Sequence, residues 1–494
     1  MTPAQLFWTI DEIAAATDGQ PHSDAAANIT ANITANITAN ISATSITGIS
    51  IDSRDTKPGD LFVALPGTAS DGHKFLPAAL AAGASAALVT QIDNAVALPQ
   101  ICVRDCLQAL RQLAMAGRQR FQGIEFGITG SVGKTGSKDM LWHALSQFGS
   151  CHASQRSFNN HIGVPVTLAS LPADADFAVQ EMGMNAAGEI ASLTRLTRPQ
   201  IGFITRIADT HREFFTSTAD IAAAKAEIFQ GLEGLSTAIL NHDDAFFENL
   251  RTAAIQAGAK KVISFGRHPE ADYRLLSIDH HDAGMMIHAS LAGSPCIFAL
   301  RMYGSHLAEN AMGVLACVAA AGLPADKAAA ALVDCLPPTG RGRRSSGIYH
   351  SRNISIIDDS YNASPASMSA AFASLANTPP QIMVLSEMRE LGEATAAAHA
   401  ALAPHINKLA PRLVITIGAA MHDMLDGLDE SISGFAAADI SAAIAHLTQS
   451  ICDGDRIFIK GSNGSGAWRV RDALCAAITP DAPQNTVKGA SHAA

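Results

Sequence analysis

The sequence predicts a three-domain α/β protein: a small α/β N-terminal domain, a central domain on a P-loop-type parallel sheet, and a Rossmann-like C-terminal domain. Three observations predict it. At 494 residues the chain has length for about three domains. Short apolar runs alternate with helical stretches along most of it, as when parallel strands are joined by crossover helices. One such run, residues 124–129, enters a glycine-rich loop that opens a helix.

The first domain is expected over residues 1–119. It carries a low-complexity insert, residues 28–42, which repeats Asn-Ile-Thr-Ala and reads as an extended surface loop or hairpin. Strand-like runs surround a turn at Lys57, Pro58, Gly59 and Asp60, and residues 73–90 read as helix, glycine turn and strand. The central domain is expected over 120–339, with apolar strands at 177–183, 201–207 and 236–241. The third is expected over 340–478, with strands at 354–360, 381–387, 412–418 and 455–462. The polar, proline-containing stretch 479–494 reads as a flexible tail.

Composition narrows the function. Hydrophobic residues make up 48% of the chain and aromatics 5%, which suits close helix–sheet packing. A formal net charge of −11 argues against nucleic-acid binding, which needs an excess of Lys and Arg. The eight cysteines form no CxxC pair, so zinc and redox motifs are unsupported. No apolar run approaches the ~20 residues of a membrane span, and the N-terminus lacks a basic leader. A cytoplasmic protein without membrane insertion is expected.

The sharpest motif is Thr129, Gly130, Ser131, Val132, Gly133, Lys134 and Thr135. Glycines let backbone N–H groups approach phosphate oxygens, Lys134 supplies a cation for β and γ phosphates, and Thr135 offers a hydroxyl to Mg²⁺. The following helix presents its N-terminal dipole to an anion. The usual spacing would put a glycine at Ile128, so this is a shorter loop than the common pattern.

That shorter loop resembles the Mur ligase and folylpolyglutamate synthetase superfamily. Further segments resemble Mur ligases in the same order: 52–54 with 58–67, 159–165, 181–190, the His211 region with 224–229, 304–310, 340–343, 357–368, 387–392 and 460–465. Block 357–368 is similar to members that add D-alanyl-D-alanine to UDP-N-acetylmuramoyl-tripeptide. The resemblance implies an ATP-dependent amide ligase, acting through an acyl phosphate in peptidoglycan precursor synthesis, with ATP and Mg²⁺ as cofactors and a monomeric state. It implies phosphoryl-transfer roles for Lys134, Glu181, His211 and Lys225, with Thr135, Glu181, His211 and a carbamylated Lys225 at the metals. The nucleotide would meet residues 129–135, Gly136, Asn310, Arg341 and Asp359. Ser53, Arg54, Asn159 and Asn160 would meet the precursor.

Read alone, several of these residues are ordinary. Glu181 ends an apolar strand, Lys225 is an exposed helix lysine, and His211 a structural histidine. Asp358, Asp359 and Ser360 would serve equally as a turn and cap. The chain also departs from the family pattern at Gly136, Arg156, Ser157, Arg206, Leu307, Ser364, Ser386, Glu387 and Asn463. Arg206, where Asn is usual, places a cation near the metals. Alternatives are another Mur-type or folylpolyglutamate-type ligase, or a catalytically weak nucleotide-binding paralogue.

Overall fold

The computed structural model describes residues 8–22, 45–67, 70–154, 157–209, 215–234, 236–281, 284–376, 378–389 and 391–480. The low-complexity insert 28–42 and His211 lie outside the described residues.

The first sheet holds β2 (Gln20–His22), β4 (Gly48–Ser50), β5 (Asp60–Val63), β6 (Ala86–Val89) and β7 (Gln100–Cys102), in the order β2-β7-β6-β5-β4. β4 to β7 are parallel, and β2 closes the edge antiparallel to β7. β5 and β6 are buried along their whole length, as parallel strands covered on both faces must be. Leu61, Val63, Ala86 and Leu88 face one core, and Phe62, Ala87 and Val89 the other.

The first of these cores extends beyond its own sheet. It takes in Val166 and Ala169 from the short helix Gly163–Ala169, which is buried at every position. A two-stranded ribbon, β1 (Trp8–Thr9) with β3 (Ser45–Ile46), sits against the same helix. The Trp8 indole donates to the Ala169 carbonyl at 2.8 Å, and the Arg120 guanidinium lies 3.4 Å over its ring.

The central sheet has nine strands: β8 (Ile124–Thr129), β9 (Cys151–Ala153), β10 (Phe177–Glu181), β11 (Ile201–Ile204), β12 (Thr237–Asn241), β13 (Lys261–Gly266), β14 (Tyr273–His281), β15 (Gly284–Leu291) and β16 (Ser294–Leu300). Their order is β16-β15-β14-β13-β12-β11-β8-β10-β9. β8 to β14 run parallel, as the alternating pattern predicts. The antiparallel pairs β14–β15 and β15–β16 extend the sheet beyond that expectation. Ala292 and Gly293 turn the last hairpin with φ of 48° and 89°, the positive values a type I′ turn needs.

Chain direction across this sheet sets the position of the site. Phe126, Ile128, Val179 and Phe203 pack with Met140, Leu141 and Leu145 of the helix Lys134–Leu145, which follows β8. Ala178, Ile204 and Leu240 pack on the opposite face with Ile190 and Leu193 of the helix Glu189–Thr197, which follows β10. Neighbouring strands thus send their helices to opposite faces, which opens a crevice at their C-terminal ends.

Near the other end of β8, Glu125 is fully buried, with the Arg118 guanidinium 4.0 Å away. Burial raises its carboxyl from 4.5 to about 8, with Arg118 opposing. Between those values the folded protein holds a proton that the unfolded chain has lost, so stability falls as pH rises across that window. Glu125→Gln is expected to flatten this dependence and to melt above wild type at about pH 9. Thermal unfolding against pH checks it; two parallel profiles would refute it.

The third sheet holds β17 (Arg343–Tyr349), β18 (Arg352–Asp359), β19 (Ile382–Ser386), β20 (Leu413–Ile417), β21 (Ser433–Ala437), β22 (Asp455–Lys460) and β23 (Thr479–Pro480), in the order β21-β20-β19-β22-β18-β17-β23. β18 to β22 are parallel, and β17 is antiparallel to β18. Thr479 and Pro480, expected as the start of the tail, pair instead with Ile348 and Gly347 at the sheet edge. Among the described residues no helix is long and apolar enough to cross a membrane.

Candidate active site

The phosphate loop leaves β8 between β10 and β11, at the mouth of the central crevice. Two glycines hold its shape. Gly130 has φ 152°, and a Cβ there would run into the Thr205 hydroxyl. Gly133 has φ 84°, and a Cβ would meet the Asn310 amide nitrogen at 2.5 Å. Buttresses surround the loop: Thr129 Oγ1 donates to the Met182 carbonyl (2.8 Å), Ser131 Oγ to that of Ala208 (2.9 Å), and Thr205 Oγ1 to that of Val132 (2.6 Å). Asn310, buried on the helix Ser305–Ala320, sits directly against Gly133.

Lys134 curls back to donate from Nζ to the Gly130 carbonyl at 2.6 Å. Burial pulls its ammonium below the ordinary lysine value; the Glu181 carboxylate opposes this and Arg341 adds to it. All three groups therefore lie within electrostatic reach of one another. Thr135 Oγ1 lies 3.3 Å from Ser157 Oγ, which in turn lies 3.5 Å from Arg341 Nη2. Arg341 also stacks 4.3 Å over the Tyr361 ring. The guanidinium entering from the third domain thus reaches the end of the phosphate loop.

Glu181, at the C-terminal end of β10, is 1% exposed. Its Oε1 accepts from Asn159 Nδ2 at 2.8 Å, while Oε2 is buried with no hydrogen-bond partner among the described residues. A buried carboxylate oxygen left unpaired is costly, and a cation there would satisfy it. Asn160, expected beside Asn159, does a different job: its Oδ1 accepts from the Ile162 and Gly163 N–H groups and turns the chain into the helix Gly163–Ala169.

Lys225 corrects the reading of an exposed helix lysine. It lies in the last turn of the helix Thr218–Ala226, is 1% exposed, and burial drives its amine well below the ordinary value, with Lys134 adding to the effect. The amine is thereby biased to its neutral, nucleophilic form.

In the third domain the two aspartates divide the work. Asp358 accepts from the Gly340 N–H and Ser360 Oγ and pairs with Arg471 Nη1 at 2.7 Å, which fixes the turn carrying Arg341. Asp359 pairs with the buried Lys460 ammonium at 2.7 Å; burial raises its carboxyl, while Lys460, His306 and Arg341 pull it down. His306 belongs to the central domain, so Asp359 faces that domain across the crevice. Ser364 caps the helix Pro365–Leu375 through the Ser367 N–H, a role Ser fills as well as Asn.

Ser53 and Arg54 follow β4 at the first domain's surface. Arg54 is 86% exposed in its side chain and pairs with its neighbour Asp52 at 2.5 Å. The structure does not bring these two against the phosphate loop; they are joined to it through the buried helix Gly163–Ala169, which packs on β4.

Sequence reasoning missed Ser157, Thr205, Glu309 and Lys138. Lys138 is 1% exposed and donates to the Ser154 carbonyl at 2.7 Å, ahead of the turn that carries Ser157 and Asn159. Its signal was slight: a lysine one helical turn before the apolar Leu141 would still be expected to reach solvent.

Family models match most of the chain: the Mur ligase family catalytic domain over residues 45–118, the Mur ligase middle domain over 128–318, and the Mur ligase glutamate ligase domain over 343–463. A UDP-N-acetylmuramoyl-tripeptide–D-alanyl-D-alanine ligase from Escherichia coli is 33% identical over 436 residues, covering 87% of this chain and 94% of its own. The chain belongs to the Mur ligase family. A Rickettsia prowazekii ligase of the same name is 32% identical, covering 84% of this Mur ligase and 92% of its own length. In three dimensions it is similar to MurF from Acinetobacter baumannii, with TM-score 0.79 and 26% identity over 95% of this chain and 99% of that one.

Proposed function

We propose that this Mur ligase joins D-alanyl-D-alanine to UDP-N-acetylmuramoyl-tripeptide at the expense of ATP, through an acyl phosphate. The observation that carries the reaction type is the meeting of a phosphate loop, a half-satisfied buried carboxylate and a lysine amine that burial pulls well below its ordinary value, at one crevice. The choice of substrates follows the relatives of that name, which match along most of both chains.

The terminal carboxylate of the precursor attacks the γ phosphorus of ATP. A P–O bond forms, the bond to the β-phosphate oxygen breaks, and ADP leaves. Carboxylate and triphosphate repel, so Lys134 at the loop and Arg341 from the third domain neutralise charge as it shifts. The D-alanyl-D-alanine amine then attacks the acyl carbon; a C–N bond forms, the C–O bond to phosphate breaks, and the amine's proton is lost to solvent. Closure of the third domain holds the reactants together and keeps water from the acyl phosphate. Glu181 Oε2, Thr135 and a carbamylated Lys225 would hold a divalent cation, which would supply positive charge to the phosphates, and the family resemblance adds His211, outside the described residues, to that set. Eight free cysteines suit a reducing cytoplasm.

Phosphate release should depend on all of ATP, Mg²⁺, UDP-N-acetylmuramoyl-tripeptide and D-alanyl-D-alanine, with the pentapeptide product visible by mass. Release with another amine, and none with the dipeptide, would overturn the substrate assignment. For Lys225, exchange with ¹³C-bicarbonate is expected to yield a carbamate carbonyl resonance that Lys225→Arg lacks. A resonance that survives in the variant would remove Lys225 from the metal site.

A further inference from the structure

Arg206 stands where the family pattern has Asn, yet its surroundings give it a purpose. It lies two residues past the end of β11, and its carbonyl accepts the Ser131 N–H at 2.8 Å, so its backbone forms part of the phosphate-loop wall. Its side chain is 51% exposed at the crevice. The Glu309 carboxylate approaches Arg206 Nη1 only to 3.6 Å, beyond hydrogen-bond range. The other Glu309 oxygen is 3.0 Å from Arg267 Nε. Two guanidiniums thus share one carboxylate, the fifth residue of the helix Ser305–Ala320, which leaves the trio with one net positive charge. Among the described residues no hydrogen bond engages the Arg206 guanidinium, so its planar fork of donors is open to an anion.

Position selects which anion. Thr135 and Arg341 meet through Ser157 where the loop enters its helix, while the Lys134 ammonium, within electrostatic reach of Glu181, curls back to the Gly130 carbonyl. Arg206 lies beside Gly130 and Ser131 and leans, through Glu309, toward the helix whose next residue, Asn310, sits against Gly133. A triphosphate with its γ group between Lys134 and Glu181 and its nucleoside toward Asn310 and Asp359 would carry its α group past Arg206, whose charge is felt at His306 together with that of Asp359. Glu309 holds the guanidinium on that side and away from Glu181, which answers the expected competition with a metal.

We propose that Arg206 is a nucleotide-binding residue that donates to the α-phosphate of ATP, with Glu309 as its positioning residue. This rests on the reading of the crevice as an ATP site. Two neighbouring departures fit a remodelled nucleotide wall: a Cβ on Gly136 would meet only Leu307, at 3.8 Å, so a small residue faces a larger one.

The test is binding of ADP and AMP to the full-length protein, by calorimetry and by competition with a fluorescent ADP, without precursor or amine. Arg206→Met should weaken both nucleotides on the order of tenfold, as loss of a charge-assisted hydrogen bond does, and Arg206→Lys should recover part of this. In turnover, KM for ATP should rise while kcat stays within about twofold. Unchanged ADP affinity in a variant that melts like wild type would overturn the proposal. Weakened ADP with unchanged AMP would overturn the α-phosphate assignment. Because no acceptor or amine is present, a wrong substrate assignment would leave these outcomes intact.

Discussion

Lys134→Met is expected to lower single-turnover ADP formation by about 10³-fold, the upper range for removing one group that stabilises transition-state charge. Methionine keeps an unbranched apolar stem in a half-buried position and deletes only the ammonium. The lysine already suffers from burial, so deleting its charge relieves a desolvation penalty and the fold should survive. What is lost is the cation facing the β and γ phosphates while the precursor carboxylate approaches. Rapid-quench assay of labelled ATP reads this directly. A fall of less than about tenfold, with an unchanged melting profile, would show that the loop is not the phosphate cradle.

Glu181→Gln is expected to cost on the order of 10²–10³ in rate and to raise the Mg²⁺ concentration needed for half-maximal activity. The amide is nearly isosteric, and its Oε1 still accepts from Asn159 Nδ2, so the local geometry is kept. The change falls on the partnerless Oε2, which becomes an NH₂ group that repels a cation. A Mg²⁺ titration of rate beside a thermal melt separates the two contributions. Full activity at ordinary Mg²⁺ would remove Glu181 from the metal site.

The phosphate loop was legible because its chemistry is local: a strand, two glycines and a Lys-Thr pair within a few residues. The parallel strands were legible for the same reason, since both faces of β5, β6 and β10 are covered and their residues read as unbroken apolar runs. Lys225 and Lys138 were not. A lysine on a helix advertises solvent, and only tertiary packing reveals that both are 1% exposed. Asn159 and Asn160 look equivalent in sequence, but one backbone turn sends the first to Glu181 and spends the second on a cap. Arg206 looked like an intruder because its partner, Glu309, lies about a hundred residues away along the chain.

The segment 159–169 has a consequence for how two ligands feel one another. At one end Asn159 grips the carboxylate of Glu181; at the other, Val166 and Ala169 belong to the core of the domain that carries Ser53 and Arg54. The rod between them is buried at every helical position and has no room to bend independently. A precursor that favours one placement of this rod therefore favours one placement of Asn159, and with it one state of the ATP crevice. Such cooperativity is symmetric by thermodynamic necessity: the factor by which the precursor tightens ATP is the factor by which ATP tightens the precursor.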